Sequence, residues 1–280
     1  MFCKCCDSQM VFFNEKNNFA FFHCKKCGFW TTRKSDNLLP AHNYFNEPAF
    51  LGELDSDWKI LVGEAAHIMD KKIDIMCKKG IEFSNDKNFL DIGCSEGLYL
   101  AAMKELGWNT FGFEVDEAKI SRAKKKGLNV SAPRYSLLER ESYDFIFSRH
   151  VMEHIPDFMM ILNQAVSLLK VGGVLCVETP NMHSLLALLN VRKIKRTAWG
   201  APGLVHVYPP THIHGFTPRA WSNVGKKLGL KVLDIRTYAA AGDPDWNITS
   251  TYKGNFLKKR VYRTSAQIGL GESVSVFLRK

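Results

Sequence analysis

The pattern of apolar and polar residues predicts alternating strands and helices from residue 88 onwards. The predicted strands are NFLDIG, NTFGFEV, LNVSA, YDFIFS, GGVLCVET, KVLDIRT and SVSVFLRK. Helix-like runs follow the first two strands directly, and each ends at a glycine, the residue preferred just beyond a helix. Near-continuous apolar strands that alternate with helices are typical of a parallel sheet covered on both faces. We therefore expect an α/β domain with a mostly parallel, seven-stranded sheet.

The residues before this domain predict two further segments. Apolar residues recur at helical spacing from Trp58 to Met76 and predict a helix. Residues 1–34 are instead rich in cysteine and aromatic residues. The sequence thus divides into a cysteine-rich segment at 1–34, a linker and helix at 35–86, and the α/β domain at 87–280.

Cysteines are concentrated at the start of the chain. Two C-x-x-C pairs are formed by Cys3, Cys6, Cys24 and Cys27. Each pair can present two sulfurs to one tetrahedral ion, and the spacing between the pairs is usual for a four-thiolate zinc site. Aromatic runs between the pairs would form the short strands of a zinc ribbon. Cys5 or His23 can replace one ligand, and buried thiols without metal are the alternative.

Composition and charge restrict the class of protein. Hydrophobic residues make up 46% and charged residues 24%, as in an ordinary globular chain. No signal-peptide pattern is present at the start, and the densest apolar run, HSLLALLNV, is too short for a membrane span, so we expect a cytoplasmic protein. The net charge of +10 is spread over short clusters at 124–126, 192–196 and 258–260, which favours solvated surfaces over nucleic-acid contact.

The stretch NFLDIGCSEGLYL (88–100) ends a buried strand on Asp91 and continues through a glycine turn into a helix. Ligands of open parallel sheets bind at the carboxyl ends of the strands. The second strand here ends on Glu114, whose carboxylate can accept hydrogen bonds from both hydroxyls of a ribose. The sequence of this turn fits neither a P-loop nor a dinucleotide-binding fingerprint. Asp91 can neutralise a cationic amine, whereas Asp91 and Glu96 would repel a pyrophosphate. The turn therefore favours S-adenosylmethionine.

Five motifs follow one another along the chain: LDIGCSEG, FGFEVDEA, YDFIFSRHVMEHIPD, LLKVGGVLCVETPN and HIHGFTP. Their order and spacing resemble those of class I S-adenosylmethionine-dependent methyltransferases. The resemblance covers roughly residues 88–237 and the closing strand. That resemblance implies a Rossmann-like sheet. It also implies that the methionine end is held by Asp91, Gly93, Cys94, Ser95 and Gly97. Glu114 would hold the ribose and Val115 would flank the adenine. The cofactor would further be lined by Ser148, Arg149 and His150. Ser95 stands where the family frequently has glycine.

Histidines near these motifs are the candidates for the chemistry at the acceptor. A histidine base would take the proton of a hydroxyl, and the candidates are His154, His150 and His212. A second hypothesis is a divalent metal on His150, Glu153 and His154, similar to quinone-precursor O-methyltransferases, which carry glutamate where His150 stands. A purely structural role for the turn is the third. The stretch HNYF (42–45) is a candidate lid.

A zinc ribbon before this kind of core resembles methyltransferases that act on sugars in nucleotide-sugar or glycan pathways. That resemblance implies a small-molecule acceptor, most simply a sugar or glycan-pathway hydroxyl or amine. The alternative is an RNA methyltransferase that grips RNA with the ribbon, for which KGNFLKKRVYRT is the only basic stretch with interleaved aromatic residues. A non-catalytic zinc-ribbon adaptor is the remaining hypothesis. The sequence leaves the oligomeric state open.

Overall fold

The computed structural model of the chain describes residues 1–34, 57–185, 187, 206–207, 209–239 and 264–280. The candidate lid HNYF, the basic cluster at 192–196 and the basic cluster at 258–260 lie outside the described residues. The basic aromatic stretch KGNFLKKRVYRT also lies outside them, apart from its last residue.

A seven-stranded sheet forms the centre of the described part. Its strands, in chain order, are β4 (Asn88–Ile92), β5 (Asn109–Phe113), β6 (Val130–Ser131), β7 (Tyr143–Arg149), β8 (Leu169–Pro180), β10 (Lys231–Tyr238) and β11 (Ser273–Arg279). The spatial order is β10-β11-β8-β7-β4-β5-β6. Neighbours from β8 to β6 are parallel, whereas β11 is antiparallel to both β8 and β10. The predicted Rossmann-like, mostly parallel sheet is confirmed, and each predicted strand is present.

Helices cover both faces of this sheet. They are α1 (Trp58–Lys78), α2 (Leu98–Glu105), α3 (Glu117–Lys125), α4 (Phe158–Leu168) and α5 (Pro218–Lys227). Because side chains alternate along a strand, Phe89 packs in the core with α1, α2 and α3, while its neighbour Leu90 packs in the core with α4 and α5. Residues 145 to 147 of β7 alternate in the same way. One apolar layer therefore packs on each face of the sheet.

Local signals fix the ends of several helices. Gly107 and Gly127 follow α2 and α3 with φ of 78° and 73°, the left-handed conformation that glycine adopts without strain. The hydroxyl of Thr217 accepts a hydrogen bond from the Ala220 amide at 3.0 Å, and Pro218 is the first residue of α5. These caps follow directly from the residue types.

The cysteine-rich segment forms a small sheet that the α/β domain completes. Strands β1 (Val11–Lys16), β2 (Phe19–His23) and β3 (Trp30–Lys34) form an antiparallel meander. Strand β9 (His214–Gly215), which comes from the long connection after β8, pairs with β3. The division of the chain at residue 34 stays a prediction, but the segment does not stand apart from the domain.

A buried ion pair joins α1 to the end of β8. Lys72 Nζ lies 2.5 Å from Glu178 Oε1, and both side chains are fully buried. The guanidinium of Arg149 lies 3.6 Å from the other oxygen of Glu178, and the Tyr238 hydroxyl donates to that oxygen at 3.1 Å. Burial raises the pKa of Glu178, but the charges of Lys72 and Arg149 outweigh it and keep the pKa below its usual range. The cluster thus holds an ionised carboxylate under the site.

No helix among the described residues is both long enough and apolar enough to cross a membrane.

The substitution Lys72→Met is expected to lower the free energy of unfolding by about 3 kcal/mol, because removing one partner of a buried ion pair leaves an undercompensated charge. Urea denaturation followed by circular dichroism measures this. The matched control is Lys71→Met, because Lys71 is exposed on the same helix. Equal stability of the two variants would contradict the structural role of the pair.

Candidate functional site

The glycine turn after β4 is packed against neighbouring side chains that leave no room for a Cβ at its two glycines. Gly93 and Gly97 have φ of 78° and 85°. A Cβ on Gly93 would lie 2.4 Å from Val151 Cγ2, and one on Gly97 would lie 2.4 Å from Leu128 Cδ1. Ser95 also adopts a positive φ of 51°, which explains why glycine suits this position. The turn opens α2 at Gly97.

The turn is tied to the end of β5. The amides of Gly93 and Cys94 donate to the carbonyl of Phe113 at 2.8 and 2.9 Å. The carboxylate of Glu114 accepts from the amide of Ser95 at 2.8 Å and from the amide of Val115 at 2.7 Å. Val115 itself is 46% exposed at the strand end, as a residue that flanks an adenine would be. The two strand ends expected to share the cofactor are therefore one connected unit.

Asp91 is buried at the base of the turn, and its environment disfavours negative charge. Burial raises the pKa of Asp91 to about 8, the nearby charge of Glu114 adds to the rise, and Arg149 opposes it. A cationic amine bound beside Asp91 would lower this pKa again. The carboxyl group, the glycine turn and exposed Val115 together fit S-adenosylmethionine.

Glu96 has a different role from the one expected from the sequence. Its carboxylate lies 2.7 Å from Arg122 Nε and 2.8 Å from Lys126 Nζ, both on or beside α3. Burial raises the pKa of Glu96, but these two ion pairs outweigh it and lower the pKa. Lys126 also lies 3.7 Å from the centre of the Trp58 ring. Glu96 is therefore neutralised and would not repel a phosphate, and part of the 124–126 cluster is structural.

A cavity of about 490 Å³ lies beyond the ends of β7 and β8. Its lining includes Arg149, His150, Glu153, His206 and His212. Since β4 and β7 are parallel neighbours, this cavity and the glycine turn are at the same edge of the sheet. Its volume is that of a small-molecule site. Of the predicted catalytic residues, His150 and His212 line it.

The third candidate, His154, lies against His212. The two rings are 4.6 Å apart and nearly perpendicular. His154 Nδ1 is 2.9 Å from the carbonyl of Thr211, and His212 Nδ1 is 3.0 Å from the carbonyl of His206. A carbonyl accepts only, so each Nδ1 carries the proton and each Nε2 of a neutral ring carries the lone pair. Burial lowers the pKa of His212 to about 4, which keeps it neutral at pH 7.

Glu153 lies beneath these rings and is fully buried. Its Oε1 is 3.2 Å from His150 Nδ1, and its Oε2 has no hydrogen-bond partner among the described residues. Burial raises the pKa of Glu153, but the hydrogen bond from His150 and its electrostatic attraction outweigh burial and lower the pKa. Ligand atoms of Glu153, His154 and His212 all lie within 4.8 Å of one another. The structure thus groups His212, not His150, with the other two candidate metal ligands.

Ser148 and Arg149, both expected to line the cofactor, have surroundings that the motifs do not reveal. Ser148 is buried, and its hydroxyl has no hydrogen-bond partner in the described ranges. Arg149 donates to the hydroxyl of Tyr99 and belongs to the Glu178 cluster, so it is a buried cation as well as a lining residue. Helical spacing places Lys72 between Met69 and Met76 on the apolar face of α1, which is the one signal that could have revealed this cluster.

The four cysteines of the C-x-x-C pairs lie together at the base of the ribbon. Cys3 and Cys27 have their sulfurs 3.6 Å apart, Cys6 and Cys24 have theirs 3.5 Å apart, and all four sulfurs lie within 4.8 Å of one another. Zinc–sulfur bonds of about 2.3 Å in a tetrahedron require sulfurs roughly 3.8 Å apart. The group therefore fits a zinc ion. Cys5 is buried nearby, and His23 stacks on Trp30; neither belongs to the group.

Comparisons with known proteins show the family to which the chain belongs. A family model described as a methyltransferase domain matches residues 65–235 of the 280. The ubiquinone biosynthesis O-methyltransferase of Hydrogenovibrio crunogenus is 25% identical over 161 residues, which cover 54% of this chain and 65% of that protein. The protein of the same name from Pelagibacter ubique is 25% identical over 185 residues, 61% of this chain and 72% of that one.

Among solved structures, a SAM-dependent methyltransferase from Archaeoglobus fulgidus matches with a TM-score of 0.50 and 20% identity, over 75% of this chain and 94% of that one. This similarity supports the fold. The strand order and the family match identify a Rossmann-like methyltransferase domain. The chain belongs to the methyltransferase-domain family, since the family model covers more than half of it.

Cofactor affinity is expected to rise with pH. Below about pH 8 Asp91 is protonated in the free protein, so a ligand ammonium that needs the carboxylate must displace one proton. Affinity for S-adenosylhomocysteine should therefore rise by up to about tenfold per pH unit from pH 6 to 8 and then level off. Calorimetry in buffers of different ionisation enthalpy measures the proton release. Asp91→Asn should bind weakly and without this pH dependence. A pH-independent wild-type affinity would contradict the assignment.

Metal analysis tests the cysteine site. We predict one zinc ion per chain in protein purified without chelators, and loss of that zinc in Cys24→Ser, because a tetrahedral site with three thiolates is incomplete. Cys5→Ser is the matched control, because Cys5 is a buried neighbour outside the group, and it should keep its zinc. Zinc loss in both variants, or in neither, would disprove this ligand set.

Proposed function

We propose that the chain transfers a methyl group from S-adenosylmethionine to a hydroxyl oxygen of a small molecule. The observation that carries this proposal is the cavity of about 490 Å³ at the strand edge of the cofactor turn, lined by histidines of which His212 is held in one tautomer by a backbone carbonyl. A neutral imidazole with its lone pair on Nε2 is the form required of a general base.

The residues of the site have separate roles in the proposed reaction. The cofactor supplies an activated methyl group on a sulfonium, so the protein chiefly aligns the acceptor and removes its proton. Asp91 holds the amine of the cofactor and Glu114 the ribose. His212 accepts the hydroxyl proton at Nε2, while the carbonyl of His206 fixes its ring through Nδ1. His154 packs against His212, and Glu153 stabilises the imidazolium that forms.

Oxygen as the accepting atom is supported by the O-methyltransferase names of the curated relatives. The chain spans 65% of the Hydrogenovibrio crunogenus protein, so the activity and substrate of that whole protein remain proposals for this one. The sugar or glycan acceptor expected from the ribbon finds no support in these relatives. We therefore place phenolic hydroxyls beside sugar hydroxyls as candidate acceptors, ahead of amines and RNA.

A metal-assisted form of the same reaction is the second candidate. It is favoured by Glu153, whose buried Oε2 has no hydrogen-bond partner in the described residues. A carboxylate oxygen of Glu153 also lies within 4.8 Å of the ligand nitrogens of His154 and His212. One carboxylate and two imidazoles are suitable ligands for a divalent ion. In that case the metal would bind the acceptor oxygen and lower its pKa.

Two measurements test the proposal. Calorimetric titration should show micromolar binding of S-adenosylmethionine and S-adenosylhomocysteine and none of NADH. Transfer of labelled methyl groups should then be detected with small phenols or sugars, and His212→Asn should lower kcat by about a hundredfold with the cofactor affinity unchanged. Lack of sulfur-ligand binding by folded protein would disprove the function.

The same assay tests the metal-assisted form of the reaction and the alternative in which RNA is the acceptor. If a chelator that leaves the ribbon zinc in place abolishes transfer, and Mg²⁺ or Mn²⁺ restores it, the metal-assisted form is correct. Transfer to RNA alone, with binding that weakens steeply as salt rises, would instead favour the RNA alternative.

A further inference from the structure

His214 lies between the cysteine ribbon and the acceptor cavity. Its side chain is buried, with Nδ1 at 2.9 Å from the hydroxyl of Thr31 and Nε2 at 3.0 Å from the carbonyl of Ile155. Because the carbonyl only accepts, Nε2 carries the proton and Nδ1 accepts from Thr31. One imidazole thus joins strand β3 of the ribbon to the turn after β7.

The backbone of the same segment holds Glu153. The amides of Ile213 and His214 donate to the carbonyl of Glu153 at 2.9 and 3.1 Å. The carbonyl of Ile213 in turn accepts from the amide of Thr32 at 2.9 Å. Glu153 and His212 are therefore positioned by a segment whose outer side is paired with the ribbon.

Further ribbon contacts reach the same two segments. Lys4, between the first cysteine pair, donates to the carbonyl of Pro156 at 2.5 Å. The carbonyl of Cys27, from the second pair, accepts from the hydroxyl of Thr217 at 2.6 Å. Phe29, beside the cysteines, packs against Phe158 and Phe216. Each C-x-x-C turn thus contacts one of the two segments that carry the candidate acceptor residues.

The cofactor turn has a separate anchor. Gly93 and Cys94 are hydrogen-bonded to Phe113 on β5. The hydrogen bonds that support the two halves of the site therefore come from different elements, β5 for the cofactor turn and the ribbon for the acceptor segments.

We propose that the cysteine ribbon is the frame of the acceptor side and that His214 is a positioning residue, acting through Thr31 and Ile155 to set Glu153, His154 and His212 against the cofactor. The catalytic part of this statement rests on the proposed function; the mechanical coupling does not. The ribbon would then contribute to turnover without contacting the acceptor.

The test uses Thr31, which lies on β3 of the ribbon and whose hydroxyl is hydrogen-bonded to His214. Thr31→Val removes the hydroxyl and keeps the shape, whereas Thr31→Ser keeps the hydroxyl and is the matched control. Backbone amide exchange, the ¹⁵N ring signals of His154 and His212, and calorimetric affinity for S-adenosylhomocysteine are measured on the full-length, zinc-loaded chain.

In Thr31→Val the amides of Ile213 and His214 should exchange about fivefold faster, because one buried hydrogen bond is lost, and the ring signals of His154 and His212 should shift. The amides of Gly93 and Cys94 and the affinity for S-adenosylhomocysteine should stay within about twofold of wild type. Thr31→Ser should behave as wild type in each measurement.

Unchanged exchange and unchanged ring signals in Thr31→Val would overturn the proposal. So would an equal acceleration at Gly93 and Cys94, because that is general destabilisation and not selective coupling. Once an acceptor is known, the proposal requires a lower kcat at unchanged KM for the cofactor. If wild-type protein fails to bind S-adenosylhomocysteine, the proposed function fails, while the exchange and ring measurements still decide the coupling.

Discussion

The parallel pairing of β4 with β7 is the constraint on which the site depends. Ile92 is paired with Ser148, so the two strands end together at one edge of the sheet and both chains must turn there. Val151, just after β7, occupies the space that a Cβ on Gly93 would need. The cofactor turn and the turn after β7 therefore lie against each other. Methyl transfer requires this proximity because donor and acceptor must lie in line.

Charge buried beneath that edge holds the layers in register. Glu178 at the end of β8 meets Lys72 from α1 and Arg149 from β7. In a low-dielectric interior such groups are stable only when they are paired, so α1 cannot shift without exposing an undercompensated charge. Arg149 also moderates the raised pKa of Asp91. Glu178 therefore links α1, through Lys72, to the surroundings of Asp91, through Arg149.

The ribbon adds a second frame at the same edge. A sheet of three short strands has little core of its own, and here it shares one with the domain through Phe29, Phe158 and Phe216. Its fourth strand is β9. A metal at the cysteines would therefore stiffen the acceptor side as well as the ribbon, which gives this segment a role within a methyltransferase without requiring that it bind substrate.

The sequence by itself determined the features that depend on neighbouring residues: strand and helix periodicity, the glycine turn of residues 93–97, the Thr217 cap and the C-x-x-C pairs. It also indicated His154 and His212 separately. Only the tertiary structure decided that their rings meet, that His214 belongs to the ribbon sheet, that Lys72 is buried and that Glu96 is neutralised by α3. The physical reason is that these contacts join segments 26 to 183 residues apart. Their energies come from burial and charge pairing between packed elements, which no local pattern encodes.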